Sequence, residues 1–138
     1  MQAHLKWDKD SGVYEMVSGD RKLVLDENSP RPMQLLLMSI ISCTAMDVVH
    51  ILNRMRVPFE KVEVEAHAER APEHPKVYTK IQLIYRIHLP QPEKYRKKVE
   101  KAVNLSKNKF CAASANVNAE YDYEIVLIDT GSESTQES

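Results

Sequence analysis

The chain has 138 residues, a length typical of one domain, and 43% of them are hydrophobic, which is enough for a buried core. Its 19 basic and 20 acidic residues nearly cancel, so no strong field points to nucleic acid or to an anionic membrane surface. Two cysteines in a domain of this size indicate buried thiols or a redox pair rather than a structural disulfide. Small-molecule or protein partners are therefore favoured.

The N-terminal part of the chain predicts three short antiparallel strands, over residues 2–7, 12–17 and 21–25, with glycine-containing turns between them. Residues 1–9 interleave charged and apolar side chains and do not resemble a secretory signal. We therefore expect a cytoplasmic protein.

A long apolar helix is predicted next, from Met33 to about Arg56, after a loop that contains Pro30 and Pro32. It is apolar on nearly every face until Asp47, which is typical of a helix buried on most sides. A membrane span is disfavoured because its polar residues, Asp47 above all, would be costly in lipid.

The second half of the chain predicts a long hairpin, formed by a strand that begins at residue 61 and a return strand over 77–89. A charged helix over 94–106, a further helical piece over 107–115 and a strand over 118–128 follow. Together these elements predict an α+β fold in a single domain, residues 1–129. The polar residues 130–138 predict a flexible tail.

The predicted apolar helix needs more cover than one small sheet offers. A homodimer whose central helices pack together would supply that cover.

Cys43 and Cys111 are the residues that could carry chemistry, because a thiolate is a nucleophile. Cys43 lies about three turns into its helix, too far for the helix dipole to dominate its ionisation. Asp47, one turn later on the same face, would raise the pKa of Cys43 if the two are close. Both cysteines can equally be read as small apolar core residues.

The five histidines show neither HxxxH spacing nor a CxxC partner motif, so no metal site is predicted. The chain has only three glycines and no glycine-rich phosphate loop. No cofactor is expected.

Two segments resemble the OsmC/Ohr family of organic hydroperoxide reductases, and its YhfA-like branch in particular. They are PMQLLLMSIISCTAMDVV at 32–49 and LSKNKFCAAS at 105–114. The order of elements resembles that family across essentially the whole chain. The resemblance implies an OsmC-like fold, in which antiparallel sheets of both chains of an intertwined homodimer wrap long central helices, with the sites at the subunit interface.

By the same resemblance, Cys43 is the peroxidatic thiol and Cys111 the resolving one. The partners implied are an organic hydroperoxide substrate and an external dithiol reductant. The chain departs from better-studied members at Met33, where they carry Glu, and at Ala112, where they carry Pro. The family's activating arginine has Arg21 as its first candidate here, with the basic residues Arg31 and Lys22 behind it.

Two functions follow from this reading. The first is a thiol-dependent peroxidase that reduces organic hydroperoxides through Cys43 and Cys111 in oxidative-stress defence. The alternative is a non-catalytic dimeric protein that binds a small molecule and whose cysteines are structural. Met33, in place of the glutamate, favours the alternative.

Overall fold

The computed structural model describes residues 1–131 and contains six strands and three α-helices in this part of the chain. Their bounds are β1 His4–Trp7, β2 Tyr14–Ser18, β3 Arg21–Leu25, α1 Pro32–Arg54, β4 Lys61–Arg70, β5 Tyr78–Leu89, α2 Pro92–Leu105, α3 Ala112–Ala115 and β6 Glu120–Asp129, with a π-helical segment, Ser106–Phe110, between α2 and α3.

Every predicted element is present, and the α+β class is confirmed. The predicted flexible tail lies outside the described residues from residue 132 onward. The chain divides into two compact units, one over residues 1–36 and the other from Leu37 onward. That residues 1–129 act as a single domain stays a prediction.

The first unit holds a three-stranded antiparallel meander in the order β1-β2-β3. Gly19 has a φ of 63° in the tight turn between β2 and β3, a conformation that glycine adopts without a Cβ clash. Trp7 and Tyr14 are paired in register, with ring centroids 6.4 Å apart. Large apolar side chains of this sheet, Leu5, Trp7 and Leu23 among them, are about half exposed.

The second unit holds a sheet in the order β4-β5-β6. Strands β4 and β5 form the predicted antiparallel hairpin, whereas β6 runs parallel to β5 over residues 120–129. Of the four strand pairs in residues 1–131, three are antiparallel as expected and one, β5 with β6, is parallel. The parallel pair arises because the α2-to-α3 segment is long enough to carry the chain back to the start of β5.

The core of the second unit lies on one face of this sheet. The alternate residues Ile81, Leu83, Tyr85 and Ile87 of β5 are at most 1% exposed. Helix α2 buries a stripe at helical spacing that contains Val99, Ala102 and Val103, and α1 buries one of period four, Ile40, Thr44, Val48 and Leu52. The core thus brings α1 and the end of α2 to the same side of β5.

Helix α1 is far less covered than its composition demands. Its most apolar window is long enough to cross a membrane, a property shared by core helices of water-soluble domains, yet only 22% of that window is buried. Met46 is 72% exposed and Met38 47%. Monomeric proteins in water rarely leave so much of an apolar helix exposed.

Candidate active site

Helix α1 places Cys43 and Asp47 one turn apart on the same face, because side chains at i and i+4 are neighbours on a helix surface. Both residues are half-buried. They flank Thr44, which is fully buried in the stripe of α1 that faces the core. The edge of the buried stripe thus carries the thiol and the carboxylate.

The π-helical segment brings Cys111 to the same place. Its wide turn is closed by the Cys111 amide, which donates to the Ser106 carbonyl at 2.8 Å. Cys111 then adopts an extended conformation before α3, and the Ser114 hydroxyl donates to its carbonyl at 3.1 Å. The thiol is buried, with Cys111 only 4% exposed.

The two sulfurs and a carboxylate oxygen of Asp47 all lie within 4.8 Å of one another. Both cysteines are free thiols. A disulfide bond would require the sulfurs to approach to about 2 Å, a local movement for two side chains that already face each other. The cluster of Cys43, Cys111 and Asp47, here called the thiol cluster, therefore has the proximity that a redox pair needs.

A chain of buried hydroxyl groups reaches the thiol cluster from the core. Tyr85 of β5 and Ser106 each lie 2.8 Å from the Thr44 hydroxyl, and Ser106 donates to Oδ2 of Asp47 at 3.0 Å. Each hydroxyl has a single proton, and a carboxylate can only accept. Because Ser106 donates to Asp47, Thr44 must donate to Ser106 and Tyr85 to Thr44.

The pKa of the Tyr85 hydroxyl agrees with this direction of hydrogen-bond donation. Burial raises the pKa of the Tyr85 hydroxyl far above its ordinary value, which keeps it protonated as the first donor. Burial likewise raises the pKa of Tyr123 to about 12. Burial also raises the pKa of the Cys111 thiol, opposed by hydrogen bonding with Ser114 and reinforced by nearby Cys43. Cys111 is therefore held as a neutral thiol at neutral pH.

A cavity of about 550 Å³ adjoins the thiol cluster at Asp47 and Phe110, the residue before Cys111. Its wall is mainly apolar, with Leu105 and Ile51 contributing, and it also carries basic side chains: His50, Arg54 and Lys101. Such a space suits an apolar molecule with a polar or anionic end.

The predicted activating cations lie in the first unit. Arg21 begins β3, is 90% exposed at its side chain and pairs with neighbouring Asp20 at 3.5 Å. Lys22 pairs with Glu15 at 3.6 Å, and Arg31 lines a separate cavity of about 440 Å³. The structure thus brings Cys43 and Cys111 together, while the part of Arg21 stays a prediction.

Sequence reasoning did not find Thr44, Tyr85 or Ser106. Asp47 was noticed only as a neighbour of Cys43 on the helix. Hydroxyl residues inside apolar segments carry no spacing signal, and their contact depends on how α1, β5 and the π-helical segment meet.

A family model described as OsmC-like protein matches residues 25–126, a range that contains the whole thiol cluster. The chain belongs to the OsmC-like family. Protein YhfA of Escherichia coli K12 is 31% identical over 134 residues, which cover 91% of this chain and 98% of YhfA. This similarity confirms the resemblance to the YhfA-like branch of the family.

Solved structures agree with the family assignment. A hypothetical protein from Aquifex aeolicus VF5 superimposes with a TM-score of 0.73 at 25% identity, covering 93% of this chain and 97% of that one. An organic hydroperoxide resistance protein OsmC from Legionella pneumophila, described as a predicted redox protein, gives a TM-score of 0.56 at 17% identity, with 92% and 95% coverage. The second likeness shows the fold.

We expect Thr44→Val to lower the free energy of unfolding by about 1–3 kcal/mol, because it leaves the buried Tyr85 hydroxyl without its acceptor. Chemical denaturation of the reduced protein measures this change. The matched control is Thr79→Val, the same change at an exposed threonine of β5 whose hydroxyl donates to the Glu69 carbonyl. Equal stability of the two variants would contradict the proposed role of the hydroxyl chain.

The stability of the reduced protein should fall as the pH rises past the ordinary thiol pKa, about 8.5. Folding favours the neutral Cys111 thiol, so its contribution is complete below that pH and is lost as the unfolded chain ionises first. Between about pH 7 and pH 10, the free energy of unfolding of the wild-type protein, measured by chemical denaturation, should fall more steeply than that of Cys111→Ala. Parallel curves for the two proteins would show that Cys111 does not titrate in this way.

Proposed function

We propose that this protein is a thiol-dependent peroxidase that reduces organic hydroperoxides through Cys43 and Cys111. The observation that carries the proposal is the approach of both sulfurs and the Asp47 carboxylate to within 4.8 Å of one another. Membership of the OsmC-like family supports it, as does the fold shared with a protein named for organic hydroperoxide resistance.

In the first step the Cys43 sulfur attacks the peroxide oxygen, the O–O bond breaks, and Cys43 sulfenic acid and an alcohol form. In the second step the Cys111 thiol condenses with that sulfenic acid, giving a Cys43–Cys111 disulfide and water. An external dithiol then reduces the disulfide to two thiols and becomes a disulfide itself. Cys43 is assigned the first step because it is the more exposed of the two.

Asp47 is proposed to move the proton that this chemistry requires. The Cys43 thiol must lose a proton before attack, and the departing alkoxide must gain one. The Asp47 carboxylate lies within 4.8 Å of both sulfurs and is fixed by the donation from Ser106. It is therefore placed to accept the first proton and to return it to the alkoxide.

The cavity beside the thiol cluster supports an organic rather than a small polar peroxide. Its wall contains Leu105, Ile51 and Phe110, which favour an alkyl chain over water or hydrogen peroxide. An alkyl or fatty-acid hydroperoxide could place its chain there, with the O–O group near Asp47.

Arg21 is proposed as the cation that favours the Cys43 thiolate, as the family resemblance implies. Its ion pair with Asp20 joins two highly exposed side chains, so the pair restrains the guanidinium weakly. The chain has Met33 where related peroxidases have the glutamate that holds this arginine.

We further propose an intertwined homodimer in the cytoplasm. The apolar side chains left exposed on α1, such as Met38 and Met46, support a second copy as the cover for this helix. A reducing compartment suits a site whose cysteines must return to thiols in each cycle.

Reduced protein treated with one equivalent of cumene hydroperoxide should lose two hydrogens in mass spectrometry and yield a Cys43–Cys111 cross-linked peptide. Cys43→Ser should abolish turnover with a dithiol, because no peroxidatic sulfur remains. Cys111→Ser should stop after about one reaction per chain, since its sulfenic acid has no resolving partner.

Thr79→Val is the control for this experiment, because Thr79 is exposed on β5 and its hydroxyl donates to the Glu69 carbonyl rather than to a residue of the thiol cluster. It should keep full turnover. Unchanged free thiols in the wild-type protein, or multiple turnovers in Cys43→Ser, would overturn the peroxidase proposal. Unreacted thiols together with binding of an apolar ligand in the cavity would favour the non-catalytic alternative.

The dimer proposal predicts that Met46→Lys shifts the protein towards monomer by at least about tenfold in dissociation constant, because a buried unpaired charge is costly. Sedimentation equilibrium of the reduced protein measures the shift. Glu73→Lys, an exposed charge change in the β4–β5 hairpin loop, serves as the control. A wild-type protein that is monomeric at high concentration would refute the dimer.

A further inference from the structure

The thiol cluster gathers three groups whose ligating forms are all anionic. Cys43, Cys111 and Asp47 point one donor atom each into a region less than 5 Å across, all pairs lying within 4.8 Å. In residues 1–131, Asp47 forms no ion pair with a lysine or arginine, and its observed partner is the neutral Ser106 hydroxyl. With its thiols ionised, the cluster would therefore carry negative charge that no described lysine or arginine balances at Asp47.

We propose that Cys43, Cys111 and Asp47 form a binding site for a thiophilic divalent cation of the Zn²⁺ class. Thiolate sulfur selects zinc and its heavier relatives over magnesium or calcium, and carboxylate oxygen is an accepted third ligand. Three protein ligands leave a fourth tetrahedral position open to water or to an exogenous thiol. Peroxide reduction through the two cysteines does not require this cation.

The distances suit such a site after a small contraction. Zinc bonds to sulfur at about 2.3 Å and to carboxylate oxygen at about 2.0–2.2 Å, which sets tetrahedral ligand atoms roughly 3.5–3.8 Å apart. The present upper limit of 4.8 Å thus requires an approach of about 1 Å. Side-chain rotation can supply it, because Cys43 and Asp47 are already adjacent on one rigid helix.

The carboxylate is oriented before any cation arrives. Ser106 donates to Oδ2 of Asp47, and Ser106 is itself fixed by the fully buried Thr44. Partners that orient ligating carboxylates in this way typically alter metal affinity by 10–100-fold when they are removed. The hydroxyl chain therefore acts as a support for the site from inside the core.

Cation binding and disulfide formation exclude each other, because both use the same two sulfurs. Binding converts the two thiols to metal-bound thiolates and releases two protons. Oxidation by one hydroperoxide then consumes two protons and yields the disulfide, an alcohol, water and the free cation. The site would thus hold a thiophilic cation when reduced and release it when oxidised.

The test is a titration of reduced full-length protein with Co²⁺, which reports thiolate ligation through a sulfur-to-metal charge-transfer band. We expect one Co²⁺ per chain, with Zn²⁺ displacing it. The disulfide form of the protein should bind neither ion. The titration contains no peroxide, so its result is independent of whether the protein turns over hydroperoxide.

The variants separate the ligands from their support. Cys43→Ser and Cys111→Ser should each remove the charge-transfer band or weaken binding by more than 100-fold. Asp47→Asn should weaken binding by at least tenfold, and Ser106→Ala by about tenfold through lost orientation. His88→Gln is the control, because His88 pairs with Glu63 on the sheet, a combination able to bind metal adventitiously.

Binding that persists in the Cys43→Ser, Cys111→Ser double variant but is lost in His88→Gln would overturn the proposal, as would the absence of a charge-transfer band in reduced wild-type protein. If Asp47→Asn bound the cation with full affinity, the carboxylate would not be a ligand and the three-ligand site would be wrong. Since circular dichroism can show that each variant is folded, loss of binding in a folded cysteine variant supports the assignment.

Discussion

The hydrogen bonds of Thr44 organise the second unit and the site together. This one hydroxyl, buried in an apolar helix, accepts from Tyr85 of the central strand and donates to Ser106. A buried polar group without partners is costly, so the three elements can meet in few arrangements that satisfy all of them. The position of Thr44 fixes that of its neighbour Cys43. The Ser106 carbonyl accepts from the Cys111 amide and so closes the turn that ends at Cys111.

A second constraint comes from the composition of α1. The helix carries many more apolar side chains than the chain buries, and the small sheet of the first unit also exposes apolar side chains such as Trp7. The proposed second copy would account for both observations, because it would cover α1 and the exposed apolar side chains of the sheet. On that proposal, part of the stability of the fold belongs to the assembly rather than to one polypeptide.

The sequence sufficed for most of the fold because its signals are local. Alternation in β5, the helical stripe of α2 and the long apolar run of α1 each follow from short-range periodicity. The parallel pairing of β6 was not predicted, because the direction of this strand depends on the path of the intervening helices. The resemblance indicated the two cysteines. The hydrogen-bonded hydroxyl groups around Thr44 could not be predicted, since their roles depend on contacts between segments distant in the sequence.

The π-helical segment gives this site a dependence on helix winding. A π turn contains one residue more than an α turn, and here that extra residue lies between Ser106, which holds the carboxylate, and Cys111. If the same residues wound as an ordinary α-helix, the fifth residue after Ser106 would lie about 100° further around the axis, which would carry the second sulfur away from the first. A change in the winding of these few residues would therefore separate the two thiols although the chain still contains both.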